Sequence, residues 1–362
     1  MESSVTAIVA DVYRYVVGVD THAATHSYAI VAAATGALID QATFPTTAAG
    51  LRRARDWIGR RTEGDLDGVL VAAEGTGSYG AVLGDVLEQT GYRIVEAPTP
   101  RRERGHGKTD TADAVLAARS TLGVAVSRVR DRRGGQAHAA LQVLTVARDQ
   151  LNADRLRCIN ALTAVVRSHA LGVDARRPLT ATQITTIAGW RRRDEPLGTA
   201  TARAEAVRLA KRILAADDEL ADNRDQISGL VADEAPELLD LHGVGAITAA
   251  VILTVWSHPG RIRNEAAFAQ IAGTCPLPAS SGNTVRHRLN RGGDRRLNRA
   301  INTIVLTRMR TDPDTRTYVQ RRLSEGKTTK EIRRCLKRYT SRQIFRTLTA
   351  AHRPPTVTEP AT

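Results

Sequence analysis

Four carboxylates set the first chemical question. Asp20 closes a Val-rich apolar run, Tyr15–Val19, and Glu74 closes a second, Gly68–Ala73. Asp110 and Asp113 lie three apart at the opening of a helical stretch, so they face the same way. Carboxylate oxygens are hard ligands suited to Mg²⁺, with Mn²⁺ as the nearest substitute. Two such ions can polarise a phosphodiester and stabilise its attacking and leaving oxygens. Each residue also has a plain structural reading. Asp20 can be a turn residue, Glu74 a loop end, and Asp110 and Asp113 partners of a helix dipole. Convergence of all four on one sheet edge separates the two readings.

The surrounding elements supply that edge. Tyr15–Val19, Ser27–Ala34 and Leu38–Phe44 read as a strand meander, with Thr35-Gly36 as a tight turn. Thr46 or Thr47 caps a helix over 48–59 with Leu51, Ala54 and Ile58 inward. Gly68–Ala73 is a buried strand. Tyr79–Thr90 is a helix with Val82, Val86 and Leu87 inward and Gly91 as its stop. Tyr92–Glu96 is a fifth strand, and a basic loop, Arg101–Lys108, leads into a helix over 109–120. The order β-β-β-α-β-α-β-α predicts a ribonuclease H-like mixed sheet with helices on both faces.

Charge divides the chain. Over all 362 residues the net charge is +14, and 47 of the 52 basic residues are arginines. Residues 1–125 hold 12 Lys and Arg against 15 Asp and Glu, a net of −3, while residues 260–350 hold 21 against 6, a net of +15. So concentrated an excess suggests a polyanionic partner, most often nucleic acid. A GC-rich genome is a second source of arginine, and a solvated basic face needs no partner. Cys158, Cys275 and Cys335 lie too far apart for a disulfide framework or zinc set, which fits a reducing cytoplasm. No secretory leader pattern and no uncharged apolar stretch of about 18 residues is present, so neither secretion nor a membrane is expected.

Residues 136–170 and 199–233 read as two long helices, expected to form an antiparallel hairpin or coiled-coil arm; 171–198 is a loop or short helix. From Pro236 a short helix, the turn Gly243-Val244-Gly245 and the helix Ala246–Val255 suggest a helix-hairpin-helix, whose exposed amides favour phosphate. Arg286, Arg288, Arg291, Arg295 and Arg296 precede a helix over 298–310, and the last helix, 326–348, carries Lys330, Arg334, Lys337 and Arg338. These residues are the nucleic-acid-binding candidates. The organisation expected is thus a catalytic domain over 1–125, a helical arm over 126–235, a mainly helical domain over 236–350 and a mobile tail over 351–362. Ser280-Ser281-Gly282, after two prolines, reads on its own as a turn.

Val17-Gly18-Val19-Asp20-Thr21-His22, Glu74-Gly75-Thr76-Gly77-Ser78-Tyr79 and Lys108-Thr109-Asp110-Thr111-Ala112-Asp113-Ala114 resemble the DEDD transposases of the IS-one-ten insertion-sequence family. So do Leu241-His242-Gly243-Val244-Gly245, Ser280-Ser281-Gly282 and Cys335-Leu336-Lys337-Arg338-Tyr339; the resemblance spans roughly 14–348. It implies a RuvC-like domain whose Asp20, Glu74, Asp110 and Asp113 hold Mg²⁺, and a C-terminal domain whose nucleophile is Ser281, with Ser280 as its rival. It further implies donor and target DNA as substrates, a structured non-coding guide RNA and a homodimer or homotetramer. Composite active sites shared between subunits and a bacterial, nucleoid-associated location also follow. The chain departs from the family at Ala23, where a lysine is usual.

Three other classes compete. A Holliday-junction-type nuclease would use metal-activated water and not need Ser281. A sugar or acetate kinase relative would bind a nucleoside triphosphate but leaves the basic block unexplained. A non-catalytic nucleic-acid-binding protein would tolerate loss of Asp20, Glu74 and Asp110.

Overall fold

The computed structural model describes residues 7–98, 109–279, 287–288 and 290–351. In chain order the elements of the first compact unit, 1–134, are α1 (Val9–Val12), β1 (Tyr15–Thr21), β2 (Thr25–Ala32), β3 (Leu38–Pro45), α2 (Ala48–Arg61), β4 (Val69–Ala73), α3 (Ala81–Thr90), β5 (Arg93–Glu96) and α4 (Asp110–Leu122). The second unit, 135–362, contains α5 (Gln136–Ser168), α6 (Ala181–Ala188), α7 (Leu197–Glu234), α8 (Ala246–Trp256), α9 (Glu265–Ile271), β6 (Leu277–Pro278), β7 (His287–Arg288), α10 (Arg295–Thr311), α11 (Pro313–Ser324) and α12 (Thr329–Ala351).

In the first unit the five strands lie in the order β3-β2-β1-β4-β5. β1 pairs antiparallel with β2 and parallel with β4, so the sheet is mixed as expected. Strand side chains alternate between faces. Val17 and Val19 of β1 join Tyr28, Leu51, Trp57 and Leu87 under α2 and α3. Val16, with Leu70, Ala72 and Val95, packs on the opposite face beneath Ala118 of α4. Both faces are therefore buried over β1, β2 and β4, which accounts for their nearly continuous apolar runs.

Thr47 caps α2 by accepting the amide of Gly50, and Leu51, Ala54 and Ile58 are buried as predicted. Gly91 ends α3 in the left-handed region at φ +106°, which a glycine adopts without strain. The inward face of α3 is different from the expectation. Leu83 and Leu87, four apart, are buried, whereas Val82 is 63% exposed. A helix turns about 100° per residue, so the face set by Leu83 and Leu87 leaves Val82 in solvent.

In the second unit α5 and α7 form an antiparallel pair about 50 Å long. Leu162 and Val166 near the end of α5 meet Ala206, Ala210 and Ile213 near the start of α7, and α6 closes that end with Ile184 and Ile187. At the other end, Leu141 of α5 and Ile227 and Val231 of α7 enter a core built by α8, α9, α10 and α12. Between these cores the contact is polar: Arg148 donates to the Leu220 carbonyl at 3.0 Å, and Asn223 donates to the Leu144 carbonyl at 3.0 Å. The short helix expected before Gly243 is a single 3-10 turn, Pro236–Leu238. Among the described residues no helix is long and apolar enough to cross a membrane.

Candidate functional site

The alternation that buries Val17 and Val19 on one face puts Val16, Gly18 and Asp20 on the α4 face. β4 runs parallel to β1 in the register Val19↔Ala73, and the Glu74 amide donates to the Val19 carbonyl at 3.0 Å. Asp20 and Glu74 therefore leave adjacent parallel strands at the same level. Thr21 reinforces this edge by donating its hydroxyl to the Glu74 carbonyl at 2.9 Å. Gly75 follows in the left-handed region at φ +64°, and a Cβ there would lie 2.7 Å from the Thr21 hydroxyl oxygen.

The third carboxylate arrives on α4. Thr109 caps this helix by accepting the Ala112 amide, which puts Asp110 and Asp113 in its first turn. Asp20 is buried, while Asp110 is exposed. Between them stands His22. Its Nε2 lies 3.0 Å from Asp20 Oδ2 and 3.4 Å from Asp110 Oδ1. One ligating atom from each of these three residues falls within 4.8 Å of the others.

The donor set and its spacing suit a divalent ion. Two ligands about 2.1 Å from an octahedral ion and at right angles are about 3.0 Å apart. Asp20, His22 and Asp110 could hold the ion directly. Glu74 and Asp113 border this trio on the same sheet edge and helix turn but stand outside its 4.8 Å group. On the other side of Glu74 a cavity of about 340 Å³ opens, lined by Gly75, Thr76, Gly77 and Glu96. Glu96 is the last residue of β5. Neither His22 nor Glu96 stood among the sequence candidates. Each carries the same signal as Asp20 and Glu74, a polar side chain at the carboxyl end of an apolar strand.

The second unit carries the basic site. A cavity of about 750 Å³ lies between the 273–276 loop, β7 and α11–α12. Arg288, Arg322, Lys327, Arg334, Lys337 and Arg338 line it. Among the described residues its one carboxylate, Glu331, is spent on capping: it accepts the Thr328 amide at 2.9 Å and hydroxyl at 2.8 Å. Lys337 donates to Asn298 Oδ1 at 2.6 Å, and Asn298 in turn donates to the Ala272 carbonyl at 2.7 Å. Burial, assisted by Arg333, holds the Lys337 ammonium below the usual lysine range. The loop is closed by two glycines: at Gly293, φ +90°, a Cβ would sit 2.3 Å from the Ile271 carbonyl oxygen, and at Gly273, φ +62°, 2.7 Å from the Gly292 carbonyl oxygen.

The other basic candidates differ in what they touch. Arg291, Arg295, Lys330 and Arg334 are exposed. Arg296 is paired with Asp149 at 3.0 Å, and Arg338 is paired with Glu265 at 3.3 Å. Glu265 also meets Arg342 at 3.0 Å and Arg346 at 3.4 Å. Burial opposes its ionisation, but Arg342, Arg338 and Arg346 together hold its carboxyl below the usual range. In the Gly-Val-Gly turn, Gly243 has φ +82° and a Cβ there would lie 3.1 Å from the Ile304 carbonyl oxygen. The Gly245 amide already donates to the Thr248 hydroxyl at 3.0 Å. Ser280, Ser281, Gly282, Arg286, the Arg101–Lys108 loop and the tail from 352 lie outside the described residues.

The chain is similar in sequence to known proteins. A profile described as the transposase IS116/IS110/IS902 family matches residues 235–320, and a DEDD transposase profile of the IS110 type matches residues 17–170. The insertion element IS110 uncharacterized 43.6 kDa protein of Streptomyces coelicolor is 33% identical over 134 residues, covering 36% of this chain and 33% of that protein. The insertion element IS900 uncharacterized 42 kDa protein of Mycobacterium paratuberculosis is 29% identical over 278 residues, covering 62% of this chain and 67% of that protein. The chain thus spans a third of the first relative and about two thirds of the second.

Proposed function

The chain belongs to the IS116/IS110/IS902 family of transposases, and we propose that it cuts and rejoins DNA strands through a metal-dependent carboxylate site and a serine nucleophile. The observation that carries this reading is the register of β1 and β4. It sets Asp20 beside Glu74 at one sheet edge, where α4 brings Asp110, with Asp113 in the same first turn. Asp20, Glu74, Asp110 and Asp113 would hold Mg²⁺, or Mn²⁺ in its place. When bound, the ion would withdraw charge from the phosphodiester and lower the barrier to displacement.

The chain's own residues do the rest. Ser281 Oγ loses its proton and attacks phosphorus. An Oγ–P bond forms as the P–O3′ bond breaks, and the departing 3′ oxygen takes up a proton. The phosphoserine conserves the diester energy, so a new 3′-OH can reverse the step and join a different strand. The basic cavity and the exposed Arg291, Arg295, Lys330 and Arg334 supply charge that grips the nucleic-acid backbone. Arg288 lines that cavity, and Arg286, Gly243 and Gly245 are further candidates for backbone contact. Support for donor and target DNA comes from the family; support for a structured guide RNA and for a dimer or tetramer comes from the motif resemblance. The cytoplasm, at the nucleoid, is the matching location.

Trapping the covalent intermediate tests the proposal. Denatured reactions of the full chain with labelled DNA and Mg²⁺ should retain label on the protein. The adduct should vanish with Ser281→Ala and persist with Ser280→Ala. Undiminished strand cleavage by Ser281→Ala would replace the serine by metal-activated water.

A further inference from the structure

The carboxylate motif does not include His22, yet His22 stands within hydrogen-bond reach of Asp20 and close to Asp110. Its imidazole Nε2 is 3.0 Å from Asp20 Oδ2 and 3.4 Å from Asp110 Oδ1, bridging the strand and the helix. The position follows from the chain path. Asp20 pairs with Ser27 and Thr21 with His26 across β1 and β2, and the His22 amide then bonds the Thr25 carbonyl at 3.2 Å. The turn is therefore fixed by backbone, and its His22 side chain falls two residues beyond Asp20, on the α4 face. At 43% exposure it is open to solvent on one side.

We propose that His22 is a direct metal ligand, so that the site is a mixed nitrogen–oxygen set that prefers Mn²⁺ to Mg²⁺. The spacing of its nitrogen from both carboxylate oxygens is that of neighbouring ligands on one ion. A plain hydrogen bond to Asp20 would need only one of these contacts. Neutral imidazole is a good ligand for transition ions, whereas Mg²⁺ favours oxygen and water. The proposal rests on the metal-site reading above but concerns which atoms hold the ion.

Pulsed electron paramagnetic resonance of Mn²⁺ added to the full chain reads the ligand directly. Wild type should show nitrogen modulation from one imidazole. His22→Asn, which puts an amide oxygen in place of the ring, should lose that modulation while still binding Mn²⁺. Its Mn²⁺-to-Mg²⁺ affinity ratio, from competition titrations, should fall by about tenfold or more. Circular dichroism should match wild type, since His22 lies at the surface end of the strand. Mn²⁺ bound with no nitrogen modulation, or modulation that persists in His22→Asn, overturns the assignment and leaves the carboxylate site standing. Failure of wild type to bind Mn²⁺, with no difference from Asp20→Asn, overturns both.

Discussion

Gly18 and Ala114 are in backbone contact across the sheet face: a Cβ on Gly18 would sit 1.9 Å from the Ala114 carbonyl oxygen and 2.6 Å from the Ala118 amide nitrogen. This approach lets α4 lie directly on β1, and it sets the depth at which Asp110 meets Asp20 and His22. Gly18→Ala must push α4 off the strand. Overpacking of this kind costs about 1–3 kcal/mol. Hydrogen exchange at β1 amides should speed accordingly, and Mn²⁺ affinity should fall although no ligand has been removed. Unchanged Mn²⁺ affinity would mean that α4 does not position the site.

Arg334 and Arg338, one turn apart on α12, should behave differently. Arg334 is exposed, and Arg338 is held by Glu265. For the full chain binding duplex DNA, Arg334→Ala should reduce the slope of log affinity against log salt by about 1. Arg338→Ala should change that slope less and instead loosen α12 from α9, visible as faster exchange in both helices. Equal slope changes would show that the Glu265 contact gives way to phosphate.

The nearly continuous apolar runs made the strands legible because both sheet faces are buried. The start of α4 was equally plain in the two aspartates of its opening turn, and the structure adds Thr109 as its cap. Parallel pairing of β1 with β4 leaves no local mark, and it was legible only because the element order pointed to a ribonuclease H-like sheet in which those strands are neighbours. What escaped lay just past an element's end. His22 lies one residue past β1 and shows its role only when α4 brings Asp110 to it. Val82 was placed inward from hydrophobicity alone, although the i, i+4 pair Leu83 and Leu87 defines the buried stripe. The helix α11 had an unread start signal: Asp312 caps it and Pro313 opens it.

The closed end of the long helix pair carries a pH-sensitive anchor. Arg203, 7% exposed in its side chain, grips Glu195 through two bonds of 2.7 and 2.5 Å and lies 4.8 Å from the Trp190 ring centroid. The Arg203 hydrogen bonds hold the Glu195 carboxyl below the usual range, against the opposing effect of burial. A depressed carboxylate stabilises the fold above its unfolded pKa of about 4.3, and the contribution is lost as pH falls through the folded value. Glu195→Gln should therefore melt below wild type at neutral pH, and the two should converge in acid. Parallel melting curves at every pH would exclude this pair as a source of acid sensitivity.

Asp20 and Asp110 share one ligand-sized group and Glu74 follows the neighbouring strand, so like charges meet at an edge where a cation would relieve their repulsion. Ligand binding to the folded state alone adds RT ln(1 + [L]/Kd), about 2.7 kcal/mol at a hundredfold excess over Kd. Mn²⁺ should therefore slow hydrogen exchange in β1, β4 and the first turn of α4 in wild type. Asp20→Asn should slow exchange there without metal, because one repelling charge is gone, and should show little further response to Mn²⁺. A wild-type chain whose exchange ignores Mn²⁺, or an Asp20→Asn chain that responds as wild type does, would place the ion elsewhere.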